Sequence, residues 1–372
     1  MKQKFLYLDD ESGEHTTEIA ELLQAEDDQL EIKVDTPKSF GDQIKQLKKE
    51  KYDGLILDLR LDEKSEAEYR ALTLAQEVRT RATEGSMNDI PIIVCSTDAK
   101  LKKSYSKDST GHDLFDAKYL KNEELVEDSE RVSKELVSFA LGYKAISELK
   151  SKIRGAGAQL KQFLGLNEEE LQNLDLRLLD YFGEVEGRLP IHEYARFIMN
   201  ELIIPTGPLV DSRVLAARLG VDHESEDFGN LINKSLKFAS YKGPFCENWN
   251  RWWWHLVEDW WGQKAKTNLA FLNATDRVEE LKKITKFQKL TVAAPISDVY
   301  ATSYWYVCEY FKQPLDPIDG VLVETKEPLP WQDQKYMSIK AAIDVKSKAA
   351  GIFPHQLEKE RVKELIKESK GE

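Results

Sequence analysis

Five side chains whose types suit phosphoryl chemistry stand at the ends of apolar runs in the first third of the chain. Asp9 and Asp10 follow one run, Asp58 ends a second, Ser96 follows a third and Lys121 closes a fourth. Carboxylates gathered in one pocket repel each other and favour a hard divalent cation such as Mg²⁺, which prefers oxygen ligands. A phosphoryl group on Asp58 would be stabilised by the charge of Lys121 and by a hydrogen bond from Ser96.

The runs that carry these residues have the pattern of buried strands. Leu55–Leu57 and Ile92–Cys95 are continuously apolar, which is typical of a parallel sheet covered by helices on both faces. Lys4–Leu8, Leu30–Val34 and Phe115–Leu120 supply three more strands, and segments with helical spacing separate them. The alternation predicts an α/β domain with a doubly wound, five-stranded parallel sheet. In such sheets ligands bind outside the carboxyl ends of the strands, which is where the polar residues stand.

This set of motifs resembles the receiver domain of response regulators. It consists of the pair Asp9-Asp10, then Leu-Ile-Leu-Asp58, then Pro-Ile-Ile-Val-Cys-Ser96, and then a lysine closing the fifth strand. The resemblance covers residues 1 to about 145 and implies a flavodoxin-like sheet. It also implies that a histidine kinase or phosphotransfer protein phosphorylates Asp58 in the presence of Mg²⁺.

The resemblance assigns roles to single positions. The phosphoryl group would be handled by Asp58, Ser96 and Lys121, and Tyr119 on the fifth strand would act with Ser96 as the switch. The metal would be held at four positions: Asp9, Asp10, Asp58 and Arg60.

Three features depart from the receiver pattern. Asn122 follows the lysine where the family has proline, and Lys118 is an alternative for the lysine itself. The loop after Asp58 is long and charged, and the segment 98–112 is long and polar. A pseudo-receiver that keeps the fold without accepting phosphate is therefore an open alternative.

The length of 372 residues exceeds one ordinary core, so more than one domain is expected. We predict a receiver-like domain over residues 1–145, a linker helix over 146–165, and a mostly helical interaction or output domain over 166–372. The net charge is −13, and residues 1–150 hold 33 acids against 23 bases, which disfavours nucleic acid as a partner.

Neither a transmembrane span nor a signal segment is expected from the apolar runs. The three cysteines are far apart in the sequence, which favours a reducing cytoplasm without disulfides.

The second half contains six tryptophans between positions 249 and 261. At helical spacing, Trp249, Trp253, Leu256 and Trp260 would share one face of a helix. Such a wide aromatic stripe is typical of a core, and it is also typical of a surface that binds a protein partner or effector.

Several other functions remain open for this half. The segment Asp211–Val221 echoes the start of a helix-turn-helix, although the following residues 223–228 include three acids where DNA phosphates would lie. A receiver-regulated enzyme could use Cys246, His255 and the acids near Asp316. The receiver could also act as a phosphate sink in a bacterial multi-gene signalling or defence system.

Overall fold

A computed structural model describes residues 1–11, 13–63, 67–97, 113–152, 163–185, 189–296 and 301–370. The chain forms two compact units. The first comprises Met1–Leu164, Gly183–Met199 and Gly243–Trp249, and the second comprises Gly165–Phe182, Asn200–Lys242 and Asn250–Glu372. The first unit is therefore assembled from three separate segments of the chain.

The first unit is built on a five-stranded parallel sheet. Its strands are β1 (Gln3–Leu8), β2 (Leu30–Asp35), β3 (Gly54–Asp58), β4 (Ile92–Ser96) and β5 (Ala117–Leu120), in the order β2-β1-β3-β4-β5. This is the flavodoxin-like order. From β1 the chain adds β2 on one side of the sheet, and then β3, β4 and β5 on the other side. The predicted fold class is confirmed. Strands β3 and β4 are fully buried, because helices cover both faces.

The described part of this unit has four helices that cover the sheet: α1 (Glu14–Glu26), α2 (Phe40–Lys49), α3 (Ala71–Thr83) and α4 (Ser129–Lys152). Ser39 caps α2 by accepting a hydrogen bond from the backbone N–H of Asp42, as the sequence predicts. One apolar cluster joins alternate residues of the strands to α2 and α3. Helix α4 runs without a break from the receiver-like region to Lys152, within the predicted linker helix 146–165, of which residues 153–162 lie outside the described part.

Further helices follow in the rest of the chain: α5 (Glu168–Leu171), α6 (Leu176–Val185), α7 (Ile191–Phe197), α8 (Ser212–Leu219), α9 (Phe228–Asn230), α10 (Trp254–Lys264), α11 (Ala274–Thr285), α12 (Ile339–Ile343), α13 (Val345–Ala349) and α14 (Lys359–Lys370). The described residues also form short antiparallel pairs: β6 (Leu209–Val210) with β7 (Trp252–Trp253), β8 (Tyr306–Val307) with β9 (Pro314–Leu315), and β10 (Gly320–Leu322) with β11 (Tyr336–Ser338). Helices form most of the regular structure, as predicted. None of the described helices is long and apolar enough to cross a membrane.

The tryptophan-rich segment is not the single helix predicted from its spacing. Trp252 and Trp253 form β7, and α10 begins only at Trp254, because pairing with β6 holds the preceding backbone extended. Trp254 packs edge-on against Trp305 at 5.5 Å between ring centroids. Four of the six tryptophans are buried: Trp252, Trp253, Trp254 and Trp261. The other two, Trp249 and Trp260, are half-buried. These six side chains mainly fill the interior of the chain.

A buried arginine organises the second unit. Arg218 lies between the rings of Trp254 and Trp305, at 4.9 and 5.0 Å from their centroids, and its guanidinium binds Asp333. Helix α8, which carries Arg218, is capped by Asp211 and ends at Gly220 with φ of +72°. A side chain at Gly220 would also meet the Cα of Ala274 at 2.6 Å, so both conformation and space require glycine.

The helix-turn-helix interpretation does not fit this region. Residues 223–227 separate α8 from the next helical segment, which starts as α9 and continues as a π-helix over Leu231–Ser235. All residues of α8 from Val214 to Leu219 are buried, so this helix packs inside its unit. The turn before α9 carries Glu224, Glu226 and Asp227, whose charge opposes contact with DNA phosphates.

A buried ion pair network ties α3 to the strands of the first unit. Arg79 binds Asp89 through Nη1 at 2.9 Å and Asp116 through Nη2 at 2.7 Å. Asp116 also accepts hydrogen bonds from the Tyr143 hydroxyl and from the backbone N–H of Ile92. Removing the guanidinium would leave two buried carboxylates without their cation.

We therefore expect Arg79→Ala to lower the free energy of unfolding by about 3–5 kcal/mol. Urea denaturation followed by circular dichroism measures this change. Arg81→Ala on the same helix is the matched control, because Arg81 forms a half-exposed pair with Glu77 and should change stability by less than about 1 kcal/mol. Equal effects of the two substitutions would contradict this account of the network.

Candidate functional site

The carboxyl ends of β1, β3 and β5 bring three acids and one lysine together. The Nζ atom of Lys121 lies 2.5 Å from Oδ1 of Asp58 and 2.8 Å from Oδ2 of Asp9. Carboxylate oxygens of Asp9, Asp10 and Asp58 all lie within 4.8 Å of one another, and all three residues are buried. These residues are those that the sequence placed at the strand ends.

Backbone N–H groups of the following loops hold the acids in position. One oxygen of Asp58 accepts the N–H of Arg60 at 2.8 Å, two residues further along the chain. The other two acids are held in the same way. Asp9 accepts the N–H of Glu11 at 3.0 Å, and Asp10 accepts the N–H of Glu63 at 2.9 Å. The loop after Asp58 therefore reaches back to the pocket.

Sequence analysis missed Thr16 as a neighbour of this pocket. Its hydroxyl donates to Oδ2 of Asp9 at 3.0 Å, and the residue is buried on the first turn of α1. Lys121 contacts the same Asp9 oxygen, so the orientation of this carboxylate is fixed from two sides. A threonine near the start of α1 carries no motif, which is why the spacing did not reveal it.

The acids form a donor set that could hold a divalent cation. Burial raises the pKa of Asp58, and the nearby charge of Lys121 opposes this shift. Several carboxylate oxygens within a small, buried volume suit a hard cation with oxygen ligands. The guanidinium of Arg60 pairs with Asp62 at 2.8 Å, so this residue could contribute only its carbonyl oxygen.

The hydroxyl of Ser96 is buried at the end of β4 and has no hydrogen-bond partner among the residues that the structure describes. A buried hydroxyl without a partner is unfavourable, and an incoming oxygen acceptor would relieve this. Tyr119 is buried on β5, and its hydroxyl donates to Glu135 of α4 at 2.5 Å. The predicted switch aromatic is thus held by α4.

The two candidate lysines have different surroundings. Lys121 directly follows β5 and contacts two acids of the pocket, whereas Lys118 lies within the strand. Burial lowers the pKa of Lys118, and a more distant charge on Asp113 opposes this. The ammonium that reaches Asp58 is therefore that of Lys121.

The residues of the alternative enzyme site each have separate local contacts. His255 Nε2 contacts the carbonyl of Glu170 at 2.9 Å, and Asp316 accepts the N–H of Ile318 at 2.9 Å. Burial raises the pKa of the Cys246 thiol, which disfavours the nucleophilic thiolate. These contacts provide no nucleophile with an oriented base.

The raised pKa of Asp58 generates a prediction about stability. Its contribution to folding is complete below the unfolded pKa and is lost as the pH rises through the folded pKa, because burial disfavours the ionised form. In a chelator-containing buffer, Asp58→Asn should therefore be more stable than the wild type at neutral pH, and the difference should shrink at acidic pH. Thermal unfolding across pH measures this, with exposed Asp28→Asn as the control. A stability gain independent of pH would contradict the burial argument.

Divalent cations should stabilise the protein through the same acids. At a Mg²⁺ concentration of 100 times the dissociation constant, linkage predicts about 2.7 kcal/mol of added stability. The thermal unfolding midpoint should rise with Mg²⁺ in the wild type and much less in Asp9→Asn, while Asp28→Asn should behave as the wild type does. The same rise in the wild type and in Asp9→Asn would place the cation elsewhere.

No protein-family model matches the chain, and neither does any curated protein. Several solved structures are similar to it. An adenylate cyclase from Rhodopirellula baltica is 12% identical over 41% of this chain and 100% of that chain, with a TM-score of 0.31. A sensor protein from Polaromonas sp. JS666 is 17% identical over 38% of this chain and 97% of that chain, with a TM-score of 0.27.

A response regulator protein from Burkholderia pseudomallei, whose structure contains a phosphorylated aspartic acid, a calcium ion and citrate, is also similar to this chain. It is 15% identical over 46% of this chain and 97% of that chain, with a TM-score of 0.24. At these values the similarities carry no inference about function, which rests on the side chains of the site.

Proposed function

We propose that this chain is a phosphorelay signalling protein in which Asp58 accepts a phosphoryl group from a histidine kinase or a phosphotransfer protein. The observation that carries the proposal is the position of the Lys121 ammonium, which bridges Asp58 and Asp9 among three buried acids. Charge stabilisation of this kind is what phosphoryl transfer requires from a protein.

The transfer breaks the bond between phosphorus and a histidine nitrogen of the donor and forms one between phosphorus and a carboxylate oxygen of Asp58. The ionised carboxylate is the nucleophile, and the nearby charge of Lys121 favours this form, in opposition to burial, which raises the pKa of Asp58. Lys121 would then contact an oxygen of the phosphoryl group, and the hydroxyl of Ser96 would donate to another.

Mg²⁺ held at Asp9, Asp10 and Asp58, with the carbonyl of Arg60, would neutralise negative charge on the phosphoryl oxygens. Thr16 and the loop N–H groups would position Asp9, Asp10 and Asp58 for this task. The protein contribution is thus orientation and charge balance.

The helical half is proposed to bind a protein partner or effector. Its tryptophans are largely internal, so a partner would contact other surfaces of this half. Two modes of action remain open. The protein could switch this interaction on phosphorylation, or it could drain phosphoryl groups from a kinase as a sink.

The first test is the intact mass of the protein after incubation with Mg²⁺ and acetyl phosphate. The wild type should gain one phosphoryl group, Asp58→Asn should gain none, and a chelator should prevent the gain. Asp53→Asn is the matched control, because Asp53 precedes the same strand at its opposite end and pairs with Lys144. This control should gain the group as the wild type does.

An equal mass gain in Asp58→Asn would exclude Asp58 as the acceptor. If neither acetyl phosphate nor a phosphorylated histidine donor produced a gain in folded, Mg²⁺-stabilised wild type, the pseudo-receiver alternative would replace this proposal.

A further inference from the structure

A second polar cavity lies in the first unit, away from the acid pocket. It has a volume of about 490 Å³ and lies beside the amino ends of β3 and β4, between residues 87–90, α4 and the segment before α7. Cavities of roughly 300–1,000 Å³ are typical of small-molecule sites. All the residues that line it belong to the first unit.

Three of the four charged side chains that line this cavity form ion pairs at contact distance. Lys144 pairs with Asp53 at 2.8 Å. Asp89 pairs with Arg79 at 2.9 Å and also accepts the backbone N–H of His192. Arg79 is shared between Asp89 and Asp116, so the cavity is not short of negative charge, but these three side chains each have a direct partner.

Lys150 is the exception. Its ammonium donates to the carbonyl of Leu189 and lies 5.3 Å from the ring centroid of Tyr194, and no described carboxylate is within ion-pairing distance. The residue is half-buried, and burial lowers the pKa of its side chain while Asp89 opposes this only at longer range. A partly buried cation without a counter-ion is unfavourable, so an anion beside it would be stabilised.

The remaining lining is suited to an apolar body. Met87, Ile90, Leu189 and Pro190 supply hydrophobic surface, and Ser147 on α4 is exposed at the cavity wall. The cavity thus combines an apolar wall with an exposed hydroxyl and with an ammonium that has no ion pair among the described residues. This composition is typical of a site that binds the body of a ligand by hydrophobic contact and orients it by a few polar groups.

We propose that this cavity binds a small organic carboxylate with an apolar body, whose carboxylate pairs with Lys150. The pairing gives Lys150 a carboxylate at contact distance, and the apolar body covers the hydrophobic lining. The site is separate from Asp58, so the proposal stands independently of phosphoryl acceptance.

Isothermal titration calorimetry with 1-naphthylacetate and its neutral analogue 1-naphthylacetamide tests the proposal on the full-length protein. The two probes share their rings and differ in one charge. The carboxylate should bind one site per chain with a dissociation constant below about 1 mM, and at least about tenfold more tightly than the amide.

Lys150→Gln should weaken binding of 1-naphthylacetate by about tenfold and leave the weak binding of the amide unchanged. Lys152→Gln is the matched control on the same helix, because Lys152 is exposed and pairs with Glu148, and it should bind as the wild type does. Ser147→Trp places a large side chain at an exposed position of the cavity wall, so it should fold normally and abolish binding of both probes.

Any one of three results would overturn the proposal. The wild type could show no saturable binding of 1-naphthylacetate, it could bind the carboxylate and the amide equally well, or Lys150→Gln could bind the carboxylate as tightly as the wild type does. Circular dichroism of each variant establishes that it is folded before binding is compared.

Discussion

Negative charge buried at one end of the parallel sheet is the constraint on which the first unit depends. Asp9, Asp10 and Asp58 lie together, and the described structure brings one ammonium, that of Lys121, among them. Full ionisation leaves three negative charges against one positive charge. Such a group is tolerated because loop N–H groups and Thr16 solvate the carboxylates in place of water. The same arrangement makes the pocket responsive to any change in local charge, such as a bound cation or an added phosphoryl group.

The opposite end of the sheet shows a different solution to charge burial. There Arg79 forms ion pairs with both Asp89 and Asp116, and the two acids also accept hydrogen bonds from Tyr143 and His192. The carboxylates outnumber the cation at this end too, but here each acid is paired directly with the same guanidinium. The two groups of buried charges are joined by the same buried strands β3 and β4.

The sequence predicts this sheet well because burial on both faces leaves a direct trace in continuous apolar runs. The acids, Ser96 and Lys121 were found for the same reason, since each directly follows such a run. The tryptophan segment was misread as one helix because the pairing of Trp252 and Trp253 with Leu209 and Val210 spans more than forty positions and has no local signal. Thr16 and the Arg79 network were missed likewise, because their partners are brought together only by the tertiary fold. The choice between Lys118 and Lys121 required the start of β5 at Ala117, where Asp116 is held by Arg79.

The composition of the first unit from three chain segments has a consequence for how the protein is made. Its last piece, Gly243–Trp249, packs Phe245 onto Gly142 of α4 so closely that any side chain at Gly142 would overlap the Phe245 ring. Phe245 adopts a φ of +71°, which an ordinary side chain takes up only when its surroundings enforce it. Domains generally fold as they leave the ribosome, amino-terminal part first. The face of α4 around Gly142 therefore stays exposed until about a hundred further residues have been synthesised and Phe245 can pack against it.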